Sequence, residues 1–178
     1  MDNNEKIYSP YIPSILTKKV SLSILEVGKN IKQNLEKKIQ VTTEGICIPE
    51  GYTKPGSVKI LTYSSGIVNN EMIDFQVTYE CNICFPVEGN LIECVAKTIT
   101  KAGMHGEVID DNGNIPINVF IARDHHISDN YFTTIKEGNK FLASVIGVRF
   151  ELNDPYISVI ASIKREHENK KEKIKIND

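Results

Sequence analysis

Residues that could do chemistry gather in two places. Cys81 and Cys84 form a C-x-x-C, a spacing shared by zinc ligands and redox pairs. Asp124, His125 and His126 stand in a row, and carboxylate beside imidazole could hold a catalytic metal. Neither reading is supported by its surroundings. A structural zinc site takes four ligands, and no second close pair accompanies Cys81 and Cys84. The segment IDFQVTYECNICF (Ile73 to Phe85) is β-branched and aromatic throughout, as a strand is. On a strand, positions three apart face opposite sides, so the two thiols diverge. Cys47, Cys81, Cys84 and Cys94 therefore read as small buried apolar residues, and a chain without disulfides fits a reducing compartment. His125 and His126 read as loop residues opening a turn. The sequence has no glycine-rich phosphate loop, no metal-binding helix motif and no Gly-x-Ser-x-Gly nucleophile. The expectation is a protein with no metal, no cofactor and no catalysis of its own.

The bulk numbers bound what can position such residues. With 178 residues, the chain makes one domain or two small ones. It is 40% hydrophobic and 25% charged, which allows a real core. A net charge of −2 gives no general attraction to nucleic acid, so any such contact must come from a local patch. No stretch approaches a membrane span, and the start, MDNNEKIYSPYIP, lacks an apolar signal core. An intracellular protein is expected.

Along the chain, Val20, Leu22 and Ile24 alternate with polar residues, the period of a half-buried strand. From Leu25 to Ile39 the period becomes helical, with Val27, Ile31, Leu35 and Ile39 on one face. Gly28 weakens the first turn. Short strands follow at Glu44 to Ile48 and Ser57 to Tyr63, then the long strand Ile73 to Phe85. Pro86 should end that strand, and Gly89 can turn the corner after it. Beyond the corner come five strands: Asn90 to Ile99, Met104 to Asp110, Ile115 to Ala122, Lys140 to Glu151 and Tyr156 to Ile163. Asp111-Asn112-Gly113 supplies one hairpin turn. The polar DHHISDN stretch makes a longer excursion after the third strand, the plan of an OB-type barrel. The fold class is α+β, a helix on an antiparallel sheet followed by that barrel. The expected divisions are an extension over 1–15, a tip domain over 16–86, a barrel over 87–164 and a mobile charged tail over 165–178.

These segments, taken in order, resemble the larger stalk subunit of multi-subunit RNA polymerases: the seventh subunit of eukaryotic polymerase II and its archaeal counterpart. IKQNLEKKIQVTTEGIC looks like the family's helix running into its acidic-Gly-x-Cys strand, and TYSSGIV falls at its glycine-rich turn. VTYECNICFPVEGNLIECVAKTITKAGMHGEV is similar to its corner and first two S1 strands. VFIARDHHI and IGVRF with Asn153-Asp154 are similar to its third strand and its penultimate strand and turn. The similarity runs from about Lys18 to Ile163. Asn90 departs from the family's usual acidic residue, and Pro86-Val87 shortens the usual run. Such divergence, with abundant Lys, Asn and Ile, suggests a large cytoplasmic DNA virus.

The resemblance implies an RNP-like tip domain, an S1-type OB fold, and two working surfaces. The first would dock on the polymerase core near its clamp through Lys54, Pro55, Gly56, Ser64, Ser65, Gly66 and Ile67, although loops of this composition are also plain hairpin turns. The second is the open barrel face, where S1 modules stack single-stranded RNA on rings while cations track phosphates. His105 and Phe120 fall at the ring positions, and Lys97, Lys101, Arg123 and Arg149 at the cationic ones. Alternation sets Phe120 opposite Val119 and Ile121, with either set able to be the buried one. In the family a smaller stalk subunit packs along the domain junction. The resemblance thus implies that partner here, or a cover for Val87 drawn from the chain's own termini. Polymerase core subunits and nascent RNA are the expected partners. The expected setting is the nucleus, or virion and host cytoplasm for a virus. A stand-alone S1 RNA-binding or translation-factor-like protein is the alternative.

Overall fold

The computed structural model describes residues 7–128 and 130–165. The expected tail, apart from Arg165, and the first six residues of the expected extension lie outside the described residues. The chain divides into two compact units, the first comprising Tyr11–Phe85 with Phe150–Tyr156.

This first unit is a helix on an antiparallel sheet. Strand β1 (Ile12–Ser23) pairs along its whole length with β6 (Met72–Cys84), from Ile12↔Ile83 to Ser23↔Met72. On the other side of β6 lie β5 (Ile67–Asn69), β4 (Lys59–Tyr63) and β3 (Gly51–Thr53), with β2 (Cys47–Ile48) beyond β3. Phe75, Val77, Tyr79, Cys81 and Ile83 recur at every second position of β6 and are buried. Leu35 and Ile39 of helix α1 (Ile31–Thr43) close over the same core, fully excluded from solvent. The periods of 2.0 and 3.6 residues explain why these residues meet.

Three boundaries differ from the sequence reading. β1 begins at Ile12, inside the expected extension. Its first residues carry no buried face, Ile12 and Ile15 being exposed, so backbone pairing rather than amphipathicity holds them. Ile24 is not part of the strand but opens a 3-10 turn, Ile24–Glu26. The helix starts at Ile31 rather than Leu25. There the Glu26 carboxylate accepts the Ser23 N–H at 2.9 Å, and the Val27 N–H bonds the Ile24 carbonyl at 3.3 Å. Val27 still packs on the core, from a loop, which is why it fitted the helical period.

The second unit takes in residues 7–10, 86–149 and 157–165 of the described chain. Pro86 follows the end of β6, and Gly89 turns at a positive φ of 89°, conformational space that side chains resist. β7 (Leu91–Ile99), β8 (Gly103–Val108) and β9 (Ile117–Ala122) form an antiparallel meander. β11 (Ile157–Lys164) runs parallel to β9 and antiparallel to β10 (Lys140–Arg149), which pairs back onto β7. The result is a closed five-stranded barrel in the order β10-β11-β9-β8-β7, the OB-type arrangement. Ile92, Met104, Ile117, Val119, Ile121, Val145, Ile157 and Val159 fill it.

The polar excursion is more ordered than its composition suggests. Arg123–His126 forms a 3-10 turn, and Asn130–Thr134 a short helix, α2. Phe132 and Ile135 are buried. At the N-terminus, Ile7 bridges Leu91 in parallel, and the Tyr8 N–H bonds the Leu91 carbonyl at 2.7 Å. Val87 remains 48% exposed, so the described terminal residues do not cover it.

Candidate functional site

The outer wall of the barrel carries a ring pair. Val119 and Ile121 point inward and are buried, so Phe120 points outward, half-buried. His105 is its direct partner across β8 and β9. The two rings lie 4.9 Å apart between centroids, tilted by 48°. Gly103 makes room for them. A Cβ there would collide with the Ile121 carbonyl and stand 3.0 Å from Phe120 Cζ.

The row continues on both sides. Thr98 faces His105 from β7, and Ile160, 50% exposed, faces Phe120 from β11. Two residues along lies a polar row: Glu107 on β8, Asn118 on β9, Ser158 on β11 and Arg149 on β10. Ile160, Glu107 and Asn118 escaped the sequence reading. Parity within each strand marks them as outward, but only the pairing register sets them beside the rings.

The four nominated cations do not converge. Lys97 sits at an irregularity of β7 and pairs with Glu107, Nζ to Oε2, at 3.5 Å. Lys101 is exposed in the β7–β8 turn. Arg123 donates its backbone N–H to the Ala102 carbonyl in that turn, and its guanidinium lies 5.5 Å from the Phe132 ring centroid. Lys101 and Arg123 thus share one end of the barrel wall. Arg149 lies level with Asn118, about 17 Å along β9 from Arg123 at some 3.4 Å per residue.

His126 lies in the 3-10 turn that ends at this residue, and its side chain, of whose exposure the sequence said nothing, is only 9% exposed. One ring nitrogen, Nδ1, meets the Ala122 carbonyl at 3.1 Å, and Nε2 accepts the Ile163 N–H at 3.1 Å. These partners assign the proton to Nδ1 and occupy both nitrogens, which leaves no lone pair for a cation. Among the described residues, no three of His, Cys, Asp and Glu are grouped as metal ligands.

The four thiols are free and buried. Burial pushes Cys47 and Cys81 up to about 11, and Cys84 and Cys94 up to about 12. A thiol held in its neutral form is a poor nucleophile and a poor metal ligand.

The seven nominated docking residues fall at two ends of the sheet. Lys54, Pro55 and Gly56 turn between β3 and β4, where the Lys54 N–H bonds the Asn82 carbonyl and its ammonium lies 5.2 Å from the Tyr11 ring centroid. Ser64, Ser65 and Gly66 link β4 to β5, and the Ser64 hydroxyl accepts the Gln76 N–H at 2.9 Å. Ile67 follows, paired with Asp74 and 72% exposed. Asn82 and Asp74 are about 27 Å apart along β6, so the two groups form no common surface. At the Ile67 end, Val68 is 71% exposed, and Ile24 and Leu25, 58% and 97% exposed, continue from the end of β1. Leu25 read as the start of a helix in sequence, which hid its exposure.

No protein-family model matches the chain. A provisionally named DNA-directed RNA polymerase subunit of Acanthamoeba polyphaga mimivirus is 29% identical over 177 residues, spanning 87% of this chain and 82% of its own length. Subunit 7 of RNA polymerase II from Arabidopsis thaliana is 25% identical over 118 residues, 65% of this chain and 63% of its own length. The RPB7 subunit from Glycine max is 23% identical over 167 residues, 84% and 90% respectively. The chain is thus similar, at modest identity and over most of its length, to proteins named as RNA polymerase II subunit 7 and to a viral polymerase subunit. In this chain an α+β unit and an OB-like barrel follow one another in the sequence order that the resemblance implied.

Proposed function

We propose that this chain is a non-catalytic stalk subunit of a DNA-directed RNA polymerase. Its tip domain docks on the core near the clamp, and its barrel holds emerging single-stranded RNA. The observation that carries the reading is the His105–Phe120 ring pair on the outer barrel wall, in a chain whose relatives are polymerase subunits over most of its length. Rings on an OB surface suit bases of any identity, because each offers a π-face. The docking part is supported by Ile24, Leu25, Ile67 and Val68, four exposed apolar side chains at one end of the sheet, where an anchor of this kind would be buried by a partner. Lys54, Pro55 and Gly56 lie at the other end and are not part of that anchor. A smaller stalk partner is supported by Phe85, Leu152 and Tyr156, which leave apolar area exposed in the tip unit. The chain then resides with the polymerase, in the nucleus or in virion and host cytoplasm.

Affinity purification of the tagged chain from the cells that make it tests the assignment. Large polymerase subunits in the eluate support it; ribosomal components in their place support a stand-alone S1 protein. The double variant Leu25→Asp, Ile67→Asp should lose the large subunits while remaining folded by circular dichroism. Undiminished recovery would reject the docking end.

A further inference from the structure

We propose that Glu107 and Asn118 give the barrel face a preference for guanine, an inference that rests on the RNA reading above. The two residues are direct partners across β8 and β9. Each lies two positions from a ring of the His105–Phe120 pair, on the same outward side, about 7 Å along its strand. A base stacked on the rings therefore turns its hydrogen-bonding edge toward them. A carboxylate only accepts, at two oxygens, and a carboxamide both donates and accepts. Guanine alone offers two adjacent donors, N1–H and the N2 amine, next to the O6 acceptor. The donors suit Glu107, and O6 suits the Asn118 amide. Adenine and cytosine each set a ring nitrogen acceptor beside their amine, and uracil flanks its N3–H with two carbonyls, so the carboxylate meets a repelling lone pair in each.

Two details of Glu107 support the assignment. Its Oε2 is out of contact with solvent and makes no hydrogen bond, although Lys97 Nζ stands 3.5 Å away. The carboxylate thus has an acceptor still to satisfy, and a cation beside it that offsets its repulsion of RNA phosphates. Lys97 is half-exposed, free to swing toward a phosphate when the base edge takes its place. Among the described residues, Asn118 has no side-chain hydrogen-bond partner.

Fluorescence anisotropy of the full chain at low salt, with short oligouridines carrying one central guanine, inosine, adenine, cytosine or uracil, tests this directly. A single guanine avoids quadruplex formation. Guanine should bind roughly fivefold or more tightly than uracil or adenine, with inosine, which lacks the N2 amine, between them. Glu107→Gln should bring the guanine-to-uracil affinity ratio down to about one. Asn118→Ala should weaken the preference, and carries the test if circular dichroism shows the first variant misfolded. Binding with no base preference, or a preference that survives both variants, overturns the inference alone. No binding of any oligonucleotide by the wild-type chain overturns the RNA reading and this inference with it.

Discussion

Removing the rings should separate binding from folding. Phe120 and His105 stand outward with centroids 4.9 Å apart, close enough for one base to touch both. Stacking contributes about 1–3 kcal/mol per base, which is roughly 5- to 150-fold in Kd. If one base uses both rings, His105→Ala and Phe120→Ala each lose part of that quantity, and the double variant loses little more than the worse single. The coupling energy should then reach about 0.5 kcal/mol or more. If each ring holds its own base, the two losses add. Both variants should remain folded, because neither side chain lines the barrel interior and the ring pairing adds only about 0.5–1.5 kcal/mol beyond the area it buries. The assay is anisotropy titration with a fluorescein-labelled oligouridine, repeated across salt concentrations, beside urea unfolding. Lys97 is engaged with Glu107 and Arg123 lies over Phe132, so few phosphates can be neutralised. The slope of log K against log salt should be shallow, about −1 to −2 at −0.7 per phosphate. Unchanged affinity of the double variant at low salt would refute the stacking argument. A slope steeper than about −3 would show that cations, not rings, carry the binding.

Three further outcomes follow from the packing. His126→Ala leaves the Ile163 N–H without its acceptor and should cost about 1–3 kcal/mol in urea unfolding; a change lost in experimental error would mean the excursion does not depend on that bond. Asp74 is held below the usual carboxylate range by the Ser21 hydroxyl first and the Lys19 ammonium second, with Asn69 adding a hydrogen bond. A depressed folded-state pKa gives stability that is present above the unfolded value and lost as pH falls through the folded one, so Asp74→Asn should flatten the acid limb of the stability profile below about pH 4, and an identical limb would reject the linkage. Thiols raised by burial carry little thiolate at pH 8, so a colorimetric disulfide reagent should label Cys47, Cys81, Cys84 and Cys94 slowly in the native protein and all four at once in denaturant. Fast native labelling of any one would contradict its burial.

What was legible in the sequence, and what was not, divides along the range of the interactions involved. The barrel strands could be read locally because alternation is set by neighbours two residues apart, and Pro86 and Gly89 mark a chain reversal by their own covalent geometry. The helix start could not, because the Glu26 carboxylate competes for the Ser23 N–H while Val27 keeps its apolar role from outside the helix. The C-x-x-C shows the same division. Its two thiols are buried on a strand that its β-branched and aromatic content revealed.

The working surface depends on longer-range information still. That Phe120 opposes Val119 and Ile121 is a local fact, yet which set faces solvent was decided only by closure of the barrel around the β-branched pair. That His105 meets Phe120 depends on the β8–β9 hairpin register, which the Asp110 loop sets: its carboxylate caps the N–H groups of Asn112 and Asn114 at 2.9 and 2.8 Å. That Ile160 joins them depends on the parallel pairing of β9 with β11, across the whole excursion containing His126. His126 in turn bonds both Ala122, at the end of β9, and Ile163, near the end of β11. The histidine with the chemistry most suggestive of a metal in the sequence therefore has a different use in the fold. It fixes the two strands whose outward residues, Phe120 and Ile160, lie side by side on the candidate RNA surface.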